Sequence, residues 1–377
     1  MRTLCANSQR MSTDVETAVV GAGVVGLAAG KALAAAGQDL VVLEQHSAVG
    51  TETSSRNSEV IHSGIYYPPG SLRAKLCVRG KQMLYDFARS NAIAHTATSK
   101  LLVATATSQL PKLRALLENG QRNGVLDLTA LSAEAATALE PELKCEAALL
   151  SPSTGVIDSH GLMTALEGHI GASGGHVVLR TQVVSVSRRR SGGYRLALNG
   201  GGSLTCQRLV LAGGLHVTAL TRTLDFAGHY LPPETLYAKG QYYALSGRSP
   251  FTRHIYPMPD GAWLGLHATI DLSGRCKFGP DITWVPAIDY GFDDSKLPGF
   301  LAFIRSYYPG LDATRLHADY TGVRPKLYRD GEPAADFRID GPEQHGLPDL
   351  VILAGIESPG LTASLAIGEY VAALLGV

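Results

Sequence analysis

The chain has 377 residues, 45% of them hydrophobic, and its 33 basic and 33 acidic side chains give a formal net charge of zero. That length suffices for one large domain or two with ample core, and the charge balance removes any electrostatic case for nucleic acid or an anionic membrane. No apolar run reaches the ~20 residues needed to cross a bilayer, and the scattered cysteines (Cys5, Cys77, Cys145, Cys206, Cys276) form no C-x-x-C pair, which argues against a disulfide framework or zinc site and fits a reducing compartment.

Residues 1–13 carry Arg2 and Arg10, no acid, and no apolar core of secretory length. Such a leader fits a cytoplasmic protein, or a mitochondrial one if the leader is a presequence. The organising stretch follows. Thr17 to Val20 predicts a buried strand, and Gly21, Gly23 and Gly26 fall in G-x-G-x-x-G spacing. Val24 to Ala36 is rich in Ala, Leu and Val, as a helix packed on a sheet would be, and Gly37 ends it. Leu40 to Leu43 is a second strand, closed by Glu44. The glycines permit a tight turn, close approach of the backbone to a pyrophosphate, and helix–strand packing. The helix N-terminus offers N–H groups to phosphate. Glu44 suits an unphosphorylated ribose, so FAD or NAD over NADP.

Gln45 to Gly64 is crowded with small polar residues, among them Thr51, Thr53, Ser54, Ser55, Asn57 and Ser58. These offer hydrogen-bond donors to phosphate oxygens, and Arg56 offers a countercharge. An aromatic turn, Ile65 to Gly70, precedes a helical stretch from Leu72 to Ala88. Lys100 to Thr105 reads as a strand, and Leu110 to Asn119 and Ser132 to Leu139 as helices. Asp158 reads as the cap of a helix over His160 to Ala172. Strands are expected at Val177 to Leu179, Gln182 to Ser187, Leu209 to Ala212 and Leu350 to Leu353, with a hairpin around Asn199 to Gly202. Residues 231–315 gain Pro, Tyr and Trp, with short alternating runs at Gln241 to Leu245, Trp263 to Thr269 and Arg275 to Phe278, as in an antiparallel sheet. Gly360 to Leu375 predicts a final helix.

This order predicts an α/β protein in which residues 14–90, 151–230 and 316–377 form a discontinuous, Rossmann-like cofactor domain. Residues 91–150 and 231–315 form an interleaved antiparallel-sheet α+β substrate domain. Ligand chemistry belongs where the two meet.

Several segments then carry a family resemblance: Thr53 to Ser58 with Val60 to Pro68, Ser71 to Val78, Ile255 to Pro259, Leu264 to Thr269, Lys277 to Pro280, Gly322 to Lys326 and Gly355 to Thr362. From about residue 15 onward the chain resembles the FAD-dependent oxidoreductases of the D-amino-acid-oxidase/glycine-oxidase group, and within it the L-2-hydroxyglutarate dehydrogenase (oxidase) branch. The resemblance implies a GR2-type domain binding FAD in extended form, with adenine near Glu44 and the isoalloxazine at the domain interface. Helix N–H groups at Gly360, Leu361 and Thr362 would face the flavin. Candidate cofactor contacts are Gly21, Gly23, Val25, Gly26, Glu44, Thr53, Ser54, Ser55, Asn57, Ser58, Val183, Ala212, Gly213, Gly355, Gly360, Leu361 and Thr362. The loop reads Ser-Ser-Arg-Asn where some relatives bond the flavin through His, and no Cys follows Cys276, so non-covalent FAD is expected.

Oxidising a 2-hydroxy acid requires a cation for the carboxylate, a base for the hydroxyl proton and a Cα hydrogen aimed at the flavin. Arg324 is the candidate clamp, with Lys326 second and Lys239 for a distal carboxylate. His62 or His267 is the candidate base, and Tyr66 and Tyr256 are candidate pocket walls. No metal site is expected. The expected activity is oxidation of a small 2-hydroxy acid, L-2-hydroxyglutarate favoured, with electrons passed to a quinone, another acceptor or oxygen. The rivals are an amino-acid oxidase of the same group, a flavin-binding partner or sensor without catalysis, and an NAD-only protein. No stable membrane anchor is expected.

Overall fold

A computed structural model describes residues 13–226, 230–258 and 265–377. The 1–12 leader, and Pro259, Trp263 and Leu264 of the motif segments, lie outside the described residues. Val15–Val20, buried over its last four residues, pairs in parallel with Leu40–Leu43 on one side and Ser203–Leu211 on the other. His176–Val178 and Leu350–Ala354 extend the parallel sheet at its two sides, and antiparallel Arg338–Asp340 follows the latter. With the hairpin Val183–Arg188 and Tyr194–Leu198, this gives an eight-stranded sheet among the described residues.

Alternation along the first strand explains its two covers. Val19 faces helices Val24–Ala35, Ser159–Ala172 and Gly360–Leu374, while Ala18 and Val20 face the hairpin and the short helix Val217–Thr221. Asp158 caps its helix as read, accepting the His160 and Gly161 N–H groups. The helix Gly360–Leu374 lies against both Val24–Ala35 and Leu72–Ser90. A Cβ at Gly368 would lie 2.5 Å from Ala28 O, and one at Gly80 2.5 Å from Thr362 O. Glycine at both crossings therefore sets the close approach, Gly368 to the first helix and Gly80 between Leu72–Ser90 and the final one.

A second, nine-stranded sheet is mostly antiparallel. It contains Lys100–Ala104, Ala147–Ser151, Leu236–Leu245, His254–Pro257, His267–Ile270, Cys276–Gly279 and Leu316–Lys326. The last of these corrects an expectation. Leu316–Lys326 pairs with Leu236–Leu245 from Leu316↔Leu245 to Lys326↔Leu236, so it lies in the substrate-side sheet instead of opening the last cofactor segment. Long-range antiparallel pairing, invisible in local sequence, decides its place.

The two faces of this sheet are distinct. Leu101, Val103, Ile255, Ala268 and Phe278 share one core, whereas Leu102, Ala104, Tyr256 and Met258 share another with Ile65. The register His254↔Lys100 and Tyr256↔Leu102, with its period of two, puts Lys100 and His254 on the face of Tyr256. By Ile255↔Ala268, His267 and Thr269 fall on that face too.

Candidate active site

The first turn is shaped by what it excludes. Gly21 has φ +104°, and a Cβ there would lie 2.5 Å from Ala212 O; at Gly26 it would lie 2.0 Å from Gly21 O. Ser54 Oγ accepts the Val24 N–H at 3.0 Å, and Leu27 N–H donates to Gly23 O at 2.9 Å. The Val25 and Gly26 amides remain at the helix N-terminus for an anion. Glu44, 7% exposed, accepts the Ala22 N–H at 2.8 Å and the His46 N–H at 2.9 Å, one on each oxygen. Each oxygen keeps acceptor capacity for a further donor. Ala212 is joined to the turn by its N–H to Val20 O at 2.9 Å, with Gly213 beside it. Val183 follows Thr181, whose N–H donates to Glu44 O at 2.7 Å.

The polar loop is used differently from the sequence reading. Thr53 Oγ1 donates to Val323 O, Ser55 Oγ to Glu52 O, and Asn57 Nδ2 to Ser54 O. Tyr320 OH donates to Asn57 O at 2.6 Å. These side chains fasten the loop to itself and to Leu316–Lys326, because a buried hydroxyl or amide needs a partner whether or not a ligand is bound. Arg56 is likewise committed: its guanidinium lies 4.3 Å from the Tyr290 ring centre and donates to Thr321 O. Ser58 meets the Tyr242 phenol. Buried Thr51 Oγ1 has no partner among the described residues.

At the other end, Gly355 turns the chain out of its strand with φ +64°. Gly360 N–H donates to Glu357 O and Ala363 N–H to Pro359 O. The Leu361 and Thr362 amides are left at the start of the final helix. The Thr362 hydroxyl accepts the His62 N–H at 2.9 Å and donates to Val60 O, so it positions His62 and is not free for a ligand. Glu357, 6% exposed, binds Arg73 Nη2 at 2.9 Å and Lys326 Nζ at 2.6 Å. Burial pulls the Lys326 ammonium down to about 8 despite Glu357. Lys326 is therefore paired, which corrects its reading as a second carboxylate clamp. Lys239 is corrected too, since it is held by Asp289 and Gly291 O. Both sit at buried strand positions where a lone ammonium would be costly.

Arg324 has one Nη2 contact, to Asp281 O at 2.8 Å, and no carboxylate within 4.0 Å among the described residues. Asp319, five residues earlier on the same strand, meets Lys277 at 3.7 Å instead. His62 sits between the final helix and the second sheet. Its Nε2 lies 3.3 Å from Ser358 Oγ, while its buried Nδ1 has no partner among the described residues. Burial, and then the charge of Lys100 and the nearby His267 and His254, hold its imidazole well below the usual range. His62 is thus neutral near pH 7. His267 stacks on Tyr256, ring centres 3.6 Å apart. Burial pushes the Tyr66 and Tyr256 phenols up, so both stay protonated.

Sequence reasoning missed Lys100. Its Nζ lies 5.1 Å from the Tyr66 ring centre and 4.6 Å from that of Tyr256, and the residue is 1% exposed. The available signal was a charged residue opening an otherwise apolar strand, Lys-Leu-Leu-Val-Ala.

The model of the family described as FAD dependent oxidoreductase matches residues 16–374. The chain belongs to the FAD-dependent oxidoreductase family. Mitochondrial L-2-hydroxyglutarate dehydrogenase of Arabidopsis thaliana is 40% identical, over 95% of this chain and 83% of that protein. The Homo sapiens protein of the same name is 29% identical, over 98% and 91%. Among solved structures, the dithionite-reduced, FAD-bound L-alpha-glycerophosphate oxidase from Mycoplasma pneumoniae superposes with TM-score 0.86 at 24% identity, covering 96% of this chain and 95% of that one. Glycine oxidase from Geobacillus kaustophilus gives 0.81 at 20% identity, covering 97% and 95%. These structures share the fold.

The residues present fit the family's FAD. A side-chain-free turn and two amides stand at one helix N-terminus, and two more amides at another. Thr51 Oγ1 and His62 Nδ1 are buried acceptors or donors still lacking partners. The final helix packs along the first, so one protein surface connects both ends.

Proposed function

We propose that this chain oxidises the 2-hydroxyl of L-2-hydroxyglutarate to the 2-oxo acid. The observation that supports it most directly is a neutral His62 with an unpartnered Nδ1, held by Thr362 and Ser358 beside the final helix. When bound, FAD supplies the two-electron acceptor for the hydride leaving Cα. Non-covalent binding fits buried Cys77, Cys206 and Cys276, whose thiols burial pushes up to about 12 or higher.

His62 takes the hydroxyl proton, because it is the candidate base kept in its acceptor form. His267, stacked on Tyr256, walls the opposite side and orients the substrate. Arg324 grips the C1 carboxylate with the part of its fork not used by Asp281 O. The Gly21–Gly26 turn, Glu44 and the Val25 amide would hold the adenosine diphosphate; the Leu361 and Thr362 amides would stabilise negative charge on the flavin. Residues 14–90, 151–230 and 327–377 form the cofactor side, and 91–150 and 231–326 the substrate side. The relatives' names place their activity in mitochondria, and we assign the same compartment here, with a quinone or another acceptor receiving the electrons. Among the described residues no helix is long and apolar enough to cross a membrane.

The test is an anaerobic titration of the purified yellow protein. L-2-Hydroxyglutarate should bleach the ~450 nm flavin band stoichiometrically. Bleaching by amino acids but not by any 2-hydroxy acid would replace this reading with an amino-acid oxidase.

A further inference from the structure

Several cations near the junction of the two sides are neutralised within the protein. Lys239 meets Asp289, Lys277 meets Asp271 and Asp319, Lys296 meets Asp281, and Lys326 and Arg73 share Glu357. Arg324 and Lys100 lack a carboxylate partner among the described residues. For Arg324 this is inexpensive, since the side chain keeps some solvent and a carbonyl. Lys100 is different. It is 1% exposed, and its surroundings are two aromatic faces, His62, and His254, whose Nδ1 accepts the Ile270 N–H and whose Nε2 meets Thr98 Oγ1.

Burying a lysine without a counterion is unfavourable, and the ring faces recover only part of that cost. Sheet register places the side chain on the face of Tyr256 and His267, near enough to His62 for its charge to act on that imidazole, and not on the face of the sheet's other core. A core position of this kind would be served as well by Leu or Met; an ammonium there is useful if an anion arrives.

We propose that Lys100, caged by Tyr66 and Tyr256, is the specificity residue that receives the distal carboxylate of a 2-hydroxydicarboxylate substrate. This rests on the reading of the chain as a 2-hydroxy-acid oxidoreductase and deepens it. Arg324 takes one carboxylate and Lys100 the other, so each of the substrate's two negative charges meets a cation that has no carboxylate partner among the described residues. Burial lowers the Lys100 ammonium to about 7, and an arriving carboxylate draws it back to the charged form. Monocarboxylic 2-hydroxy acids leave the cation buried and unpaired, which disfavours them.

The experiment uses the FAD-loaded enzyme and two redox-inert probes, glutarate and butyrate, read by perturbation of the flavin absorption spectrum. Lys100→Met should weaken glutarate binding about 30-fold and leave butyrate within about twofold. Lys100→Arg should retain most of the glutarate preference. In parallel, kcat/KM for L-2-hydroxyglutarate should fall towards that for 2-hydroxybutyrate in Lys100→Met. Should Lys100→Met not retain flavin, Lys100→Gln carries the same comparison. Unchanged glutarate binding, or equal loss of both probes, would overturn the assignment. Failure of the unmodified enzyme to be bleached by 2-hydroxyglutarate would instead sink the underlying reading, so the two failures are separable.

Discussion

At the Gly21–Gly26 turn the groups offered to a ligand belong to the backbone, and side chains are kept out. At the His62–Glu357 end the His62 side chain joins the helix amides, and charge is packed in behind them. The first arrangement tolerates no added atom: Cβ positions at 2.0 and 2.5 Å from carbonyl oxygens leave no room. The second tolerates no missing partner: Glu357 alone balances Arg73 and Lys326. Shape therefore governs one end and electrostatic pairing the other, and substitutions should fail in different ways.

The largest effect is expected at the shape-governed end. Gly26→Val should yield protein with less than about a tenth of the normal flavin content, measured as the ratio of ~450 nm to 280 nm absorbance, since the clash is with backbone that cannot yield. Full flavin loading would break the contrast. Next comes the base. His62→Ala should lower kcat about 10²–10⁴-fold with flavin content preserved, whereas His267→Ala should cost less and mainly raise KM. With His62 held below the ordinary imidazole range, the acid limb of the unmodified enzyme's kcat/KM should lie below about pH 6.5. Equal losses at the two histidines would refute the division of roles.

Glu357→Gln should destabilise folding by about 3–5 kcal/mol in denaturant titrations, because two buried cations lose their counterion. Arg324→Ala should raise KM for the hydroxy acid about 10–100-fold while changing stability little. The smallest effect concerns Glu52, which is shared by His46 at 3.1 Å and His216 at 2.9 Å. Burial alone would raise the Glu52 carboxyl, but the hydrogen bonds and charges of His216 and His46 bring it below the usual range, and Glu52 lifts His216. The lifted histidine adds stability below its ordinary value and loses it as pH rises through the folded one; the lowered carboxyl adds stability above its ordinary value and loses it in acid. The bridge therefore acts between those limits. His216→Ala should cost under about 1 kcal/mol near pH 6 and nothing at pH 9, by thermal denaturation.

The contrast also explains what could be read early. Gly21, Gly23, Gly26 and Glu44 are local in sequence, so spacing alone exposes their turn. Boundaries of the helices over Leu72–Ser90, Ser159–Ala172 and Gly360–Leu374 were legible for the same reason, through apolar period and caps. Lys239 and Lys326 were misread because their partners, Asp289 and Glu357, lie 50 and 31 residues away. Lys100 was overlooked because its meaning depends on register with His254, which no local pattern reports. The placement of Leu316–Lys326 failed likewise, since either sheet accepts an alternating strand. The hydroxyls of Thr53 and Ser55 are turned to carbonyls of the protein, a direction that no local pattern reports.

The crossings at Gly80 and Gly368 carry a consequence for biogenesis. Gly360–Leu374 leaves the ribosome long after the Gly21–Gly26 turn, yet it contributes the amides and the Thr362 hydroxyl that the earlier segments await. A nascent chain can shape its nucleotide turn long before it can retain the coenzyme, so flavin capture waits for synthesis of that helix, and free FAD from that moment governs how much product matures.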